Sequence, residues 1–153
     1  MFNGIHEKDL CKDGNLVKIR YFSGAKISDI REQIPTLLKR NQDVVVLHVG
    51  TNDAPKTTSN AIVDGLLTLK ADIMKIQPKC KVILSTPTIR SDNGKADLTI
   101  RKTNKHLKEL KIEIVDNSNI TFKDLGKKGL HLSNVGKSKL CRNLINKLKE
   151  MPQ

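Results

Sequence analysis

The chain has 153 residues, a formal net charge of +12, and a composition that is 37% apolar but only 3% aromatic. That length suits one domain spanning residues 1–153, with a core that has to be aliphatic. No apolar run reaches membrane-spanning length and the N-terminus lacks the basic-then-apolar layout of a secretory signal, so no membrane partner is expected and an intracellular, cytoplasmic location is.

The three cysteines, Cys11, Cys80 and Cys141, are odd in number and widely spaced. They argue for reduced thiols, not a disulfide framework or a zinc site. No histidine–carboxylate spacing suggests a metal, and no cofactor is expected. The positive charge reads two ways. It favours a polyanion such as nucleic acid through phosphate neutralisation. It equally describes a lysine-rich solvated surface, because the lysines are scattered and few aromatics accompany them to stack on bases.

In chain order, Met1 to Leu10 predicts part of a helix carrying Ile5 and Leu10, closed by an Asp13-Gly14 turn. Leu16 to Phe22 alternates apolar and basic residues, which predicts a strand near a sheet edge. Ser28 or Asp29 is placed to cap a helix whose apolar stripe is Ile27, Ile30, Ile34, Leu37 and Leu38, with Asp29 and Glu32 in a capping box. Pro35 should bend or restart it.

Val44 to Val49 is a continuous apolar run stopped by Gly50, the pattern of a parallel strand buried on both faces. Thr51-Asn52-Asp53 then falls at its carboxyl end, where open α/β sheets gather ligands and catalytic groups. A strand followed by an ordinary Asn-Asp turn reads the same way. A long helix is predicted over Ser59 to Gln77, ended by Pro78. Cys80 to Thr86 predicts a second buried strand, and Arg90 to Lys95 a polar loop with an Asn-Gly turn signal. Ile100, Leu107 and Leu110, with Asn104 on the same face, mark another helix. Ile112 to Asp116 predicts a short strand, Asn117 to Lys128 a polar loop. Ser133 should cap a last helix carrying Val135, Leu140, Leu144, Ile145 and Leu148. Strands alternating with helices imply a parallel sheet covered on both faces, with right-handed crossovers. No internal repeat, linker or low-complexity segment interrupts the chain.

Three patches line up: Phe22-Ser-Gly-Ala25, Gly50-Thr-Asn-Asp53, and Gly129-Leu-His-Leu-Ser-Asn-Val-Gly136. Together they resemble the SGNH (GDSL-like) hydrolase superfamily, and look closest to the SGNH-like domains found beside transposon-type open reading frames in animals. The resemblance covers nearly the whole chain. It implies a three-layer α/β/α, flavodoxin-like parallel sheet and ester or acylated small molecules as substrates. It also implies Gly24 and Asn52 as oxyanion-hole donors and His131 as the base. One donor of this kind is worth roughly 3 kcal/mol of barrier.

Two departures accompany the resemblance. The family's first strand, which ends in the nucleophilic Gly-Asp-Ser, has no counterpart before Met1-Phe-Asn-Gly4, so the domain is expected to be incomplete there and the nucleophile absent. That strand would lie between the segments at Val17–Phe22 and Val44–Val49, which must then pair directly, stay apart or accept a strand from elsewhere. The family also places Asp three residues before the histidine, where this chain has Lys128; a lysine cannot accept the imidazole N–H. Asp124 is the one nearby substitute. Neither Ser23, after a strand without the family's turn, nor Ser133, a helix cap, is nominated as nucleophile. His48 reads as a core histidine, His6 and His106 as surface residues. The expectation is an SGNH-type esterase or acyl-hydrolase-like domain without serine esterase activity of its own. The alternative is a non-catalytic basic module for nucleic acid or another polyanion, with Lys127, Lys128, Lys137 and Lys139 clustered around the last loop.

Overall fold

A computed structural model describes residues 4–11 and 14–151 of the chain. The expected turn at Asp13 and the first residues of the N-terminal helix lie outside the described residues. A short helix α1 spans Glu7–Leu10, and α2 spans Ile27–Leu37. The alternation of strand and helix continues as β1 (Val44–Leu47), α3 (Ser59–Ile76), β2 (Lys81–Ser85), α4 (Gly94–Glu109), β3 (Ile114–Val115) and α5 (Asn134–Lys149).

The strands form one parallel sheet in the order β1-β2-β3, with Val45 opposite Val82 and Leu84 opposite Ile114. Successive side chains of β2 enter different cores. Val82 and Leu84 pack with Ile62, Leu66, Leu69 and Ile73 of α3 and with Ile100 and Leu107 of α4. Ile83 packs with Val115, Leu140 and Leu144 on the other face. A strand whose two faces are both covered by helices needs no polar side, which is why β2 reads as an unbroken apolar run. The three layers are therefore α2, α3 and α4, then the sheet, then α1 and α5. Each fully buried Leu or Ile of α3 contributes about 1.5–3 kcal/mol of hydrophobic stabilisation.

Three expectations need correction. The segment at residues 16–22 is not a strand. Its Val17 N–H meets the Cys11 sulfur at 3.3 Å and its Ile19 N–H donates to the Glu7 carboxylate at 2.9 Å. Side chains thus take the backbone groups a ladder would have used, while Val17 and Ile19 still pack against the core under α5. Leu16, at 83% exposure, packs on nothing. Second, β1, expected to be buried on both faces, is an edge strand among the described residues: it pairs with β2, no ladder joins it to residues 16–22, and Val44 to Val46 are only partly buried. Third, α2 starts earlier than its capping signal suggests. Lys26 is the N-cap, Asp29 accepts the Lys26 N–H at 2.9 Å, and the helix runs through Pro35 to stop at Leu37.

Smaller differences follow from burial. Val135 is 62% exposed and lies off the apolar face of α5. The loop at 117–128 contains a 3-10 turn, Phe122–Asp124. Cys11, Cys80 and Cys141 are free thiols. Among the described residues no helix is long and apolar enough to cross a membrane.

Candidate active site

Each residue of Gly50-Thr-Asn-Asp53 has a separate task at the carboxyl end of β1. Gly50 has φ +124°, and a Cβ there would come within 3.0 Å of the Pro87 ring and 3.3 Å of Ile62. Only glycine combines that backbone with that approach. The buried Thr51 hydroxyl donates to the Thr88 carbonyl at 3.4 Å. The Asn52 amide donates to the Ala25 carbonyl at 3.1 Å, beside Gly24, whose φ is +67°. An amide nitrogen carries two protons, so this bond leaves Asn52 a second N–H to offer. Asp53 accepts the Ile27 N–H at 3.1 Å and so takes up an orphan donor of α2's first turn. Burial pushes the Asp53 carboxyl upward, and that backbone N–H pulls it partly back.

His131 sits in a tight loop ahead of α5. Gly126 N–H donates to the His131 carbonyl at 2.7 Å and Gly129 N–H to the Gly126 carbonyl at 2.9 Å. Ser133 closes the loop: its hydroxyl donates to the Asp124 carbonyl at 2.8 Å and accepts the Gly136 N–H at 3.2 Å, which caps α5. The loop is fastened to the segment after β2, where Ser91 N–H donates to the Gly129 carbonyl at 2.7 Å. The His131 side chain is exposed.

Arg90 joins the two halves. It is buried, its guanidinium donates to the Thr51 carbonyl at 3.1 Å, and it grips both oxygens of Asp92 at 2.8 and 2.7 Å. That fork raises the Arg90 pKa and holds Asp92 below the ordinary carboxylate range, with the nearby His131 adding to the effect. The covalent and hydrogen-bonded path Asn52–Thr51–Arg90–Ser91–Gly129 thus runs along one rim of the sheet to the His131 loop. Nothing in the sequence marked Arg90 and Asp92 beyond a polar loop. The only cue was a cation and a carboxylate two residues apart, which many loops share.

The carboxylate of Asp124, in the same loop as His131, is otherwise engaged. Asp124 is buried, bound by Lys139 at 2.8 Å and by the Thr121 N–H at 2.8 Å. Those two contacts, Lys139 first, hold its pKa low. Among the described residues no carboxylate and no serine hydroxyl is hydrogen-bonded to His131, and Lys128 is exposed. Ser133 serves as the cap already described, and Ser23 is exposed beside Gly24.

A serine–histidine pair does form where β1 ends beside β2. His48 Nδ1 and Ser85 Oγ are 2.8 Å apart, and Asn117 Nδ2 donates to the same hydroxyl at 2.9 Å. Asn143 of α5 donates to Asn117 at 2.9 Å. Burial lowers the His48 pKa to about 4. His48 is partly buried and satisfied, and through Ser85, Asn117 and Asn143 it links the end of β1 to β2 and α5.

The GDSL-like lipase/acylhydrolase family matches the sequence over residues 6–142. A search of curated proteins returned no match by sequence. Several solved structures share the fold. An acetyl esterase variant, solved with an acetate ion, superposes with a TM-score of 0.74 at 20% identity, over 84% of this chain and 68% of its own. A carbohydrate esterase family 3 protein from Talaromyces cellulolyticus gives 0.74 at 20% identity, over 89% and 75%. A GDSL-like lipase from Bacteroides thetaiotaomicron gives 0.74 at 17% identity, over 94% and 80%. At such identities the likeness speaks for the fold.

Proposed function

Because this chain belongs to the GDSL-like lipase/acylhydrolase family, we propose that its carboxyl rim is an SGNH-type ester site. In this reading Gly24 and Asn52 are the oxyanion donors and His131 is the base. Acyl transfer builds negative charge on the carbonyl oxygen, and donors already fixed in place offset it without reorganising. The observation that carries the reading is the Asn52–Ala25 hydrogen bond. It keeps the asparagine amide beside the backbone of Ala25, next to Gly24, and in this reading the second Asn52 N–H and the Gly24 N–H serve one oxygen. His131 would take the proton of an attacking hydroxyl and return it to the leaving alkoxide.

The same rim supports the reading that this sequence does not turn over esters through a serine of its own. No serine hydroxyl among the described residues is bonded to His131, and the position that should orient the imidazole is Lys128. A base whose tautomer is not fixed by a carboxylate loses most of its catalytic worth. The substrates in view are short acyl esters. The test is hydrolysis of p-nitrophenyl acetate and butyrate with and without a serine-directed phosphonate. The expected result is no phosphonate-sensitive turnover; a burst of nitrophenol abolished by the phosphonate overturns it.

A further inference from the structure

The loop that carries His131 is a pinned hairpin tip. Gly126 N–H donates to the His131 carbonyl, Leu125 bridges Leu132 in antiparallel sense, and Gly129 N–H closes a turn onto the Gly126 carbonyl. Lys127 and Lys128 are the two residues inside that turn, and both are exposed. A hydrogen-bonded antiparallel pair sets its α-carbons about 5.5 Å apart, and each further residue adds at most about 3.8 Å. The Lys127 backbone therefore stands within about 9 Å of His131, and that of Lys128 within about 11 Å.

The charges of this corner do not cancel. Asp92, near His131, is held by Arg90, and Asp124, in the loop itself, is held by Lys139. Each of those carboxylates is matched by one cation. Lys127 and Lys128 make no ion pair among the described residues. Lys123, earlier in the loop, has the same sign and is also exposed. Two matched pairs and two unmatched ammonium groups leave an excess of positive charge on the His131 loop.

A charge acts on a ligand without touching it when their separation is below the screening length, about 30 Å at 0.01 M salt and about 8 Å at 0.15 M. Here that field bears on one part of an ester more than the other. With Gly24 and Asn52 as the oxyanion donors, the carbonyl oxygen lies against them, and His131 passes its proton to the leaving alkoxide. The alcohol part of the ester then lies on the His131 side, nearer the two lysines than the acyl part is.

We propose that the rim takes esters whose alcohol part carries a carboxylate, and that Lys127 and Lys128 set this preference. The proposal rests on the ester-site reading and adds the charge of the substrate to it.

The test is binding, read by NMR from the Asn52 side-chain amide and the His131 ring. Three esters are titrated: 3-acetoxypropanoate, its neutral counterpart 3-acetoxypropanamide, and monomethyl glutarate, which carries its charge on the acyl part. With two unit charges about 10 Å away in water, 3-acetoxypropanoate should bind about threefold more tightly than the amide at 10 mM salt, and equally at 1 M. Lys127→Gln with Lys128→Gln should bring the two to parity at 10 mM salt. Lys75→Gln with Lys79→Gln removes the same charge at the other end of the sheet, where α3 ends and β2 begins, and should keep the preference. Binding of the neutral amide reports that each variant still folds. If none of the three esters moves either resonance, the ester-site reading fails and takes the proposal with it. The proposal alone is overturned, and the ester site stands, if the amide matches 3-acetoxypropanoate at low salt, if monomethyl glutarate gains as much, or if both double variants lose the preference alike.

Discussion

The Asn52 side chain donates to the Ala25 carbonyl at 3.1 Å, and the next residue, Asp53, accepts the Ile27 N–H at 3.1 Å. Two consecutive side chains thus fasten the end of β1 to the start of α2. Asn52→Ala should lower stability by about 1 kcal/mol, the net worth of one such bond. Asn52→Asp should cost more, because it sets a carboxylate against a carbonyl oxygen. Urea titration of the three proteins checks the order. If Asn52→Ala is neutral, the bond does not hold Asn52 against the segment at Gly24 and Ala25.

How far the sequence revealed this arrangement depends on what each residue had to encode. Helices α3, α4 and α5 were legible because their apolar residues recur at helical spacing, and Ser133 marked the start of α5; Thr58 and Asn93, which cap the other two, were not read as caps. The strand and its stop at Gly50 were legible because a glycine ends the apolar run; the partners of Asn52 and Asp53 were not, since an ordinary Asn-Asp turn reads the same way. The segment at 16–22 was misread because period-two alternation records only which side chains meet the core. It does not record whether a partner strand or side chains such as Glu7 and Cys11 take the backbone groups. Arg90 and Asp92 were invisible because their meaning comes from Thr51, distant in sequence, and no local pattern announces a long-range bond.

Gly129 is where the His131 loop meets the segment after β2. Its φ is +69°, and a Cβ there would overlap the Ser91 side chain and come within 2.9 Å of the Asp92 nitrogen. Backbone cannot move aside as the end of a side chain can. Gly129→Ala should therefore cost about 1–3 kcal/mol, the range for strained backbone. Gly94→Ala, at the start of α4 with open space around it, should be neutral or stabilising by up to about 1 kcal/mol. Thermal unfolding of the two variants separates a packing constraint from a general intolerance of alanine.

His48 makes the fold acid-sensitive in a defined window. Burial lowers its pKa from 6.5 to about 4. The unfolded chain therefore takes up a proton at a pH where the folded one does not. Stability from this source is complete above pH 6.5, falls as pH drops from 6.5 towards 4, and levels off below that. The total is at most about 3 kcal/mol, since each pKa unit is worth 1.36 kcal/mol. His48→Gln can still meet the Ser85 hydroxyl but does not titrate. The difference in stability between wild type and His48→Gln should shift by that amount between pH 7 and pH 4. A constant difference across that range would show that His48 ionises as freely folded as unfolded.

Lys139 and Lys128 provide the sharpest contrast around the His131 loop. Lys139 holds the buried Asp124 carboxylate at 2.8 Å, whereas Lys128 is exposed. Lys139→Met should cost about 1–3 kcal/mol, because it leaves a buried carboxylate short of a partner. The loss belongs to the ionised carboxyl. Asp124 has a lowered folded pKa, so the contribution of the pair is present above the unfolded value near 4 and disappears as pH falls through the folded one. Lys128→Met should change stability by less than about 0.5 kcal/mol at any pH. Asp124 carries α5 as well: its carbonyl receives both the Ser133 N–H and the Ser133 hydroxyl at 2.8 Å. The carboxylate cannot turn towards His131 without giving up Lys139 and the Thr121 N–H. If Lys139→Met proved neutral while Lys128→Met destabilised, Asp124 would be free to serve the imidazole, and the assignment of that carboxylate to structure would fail.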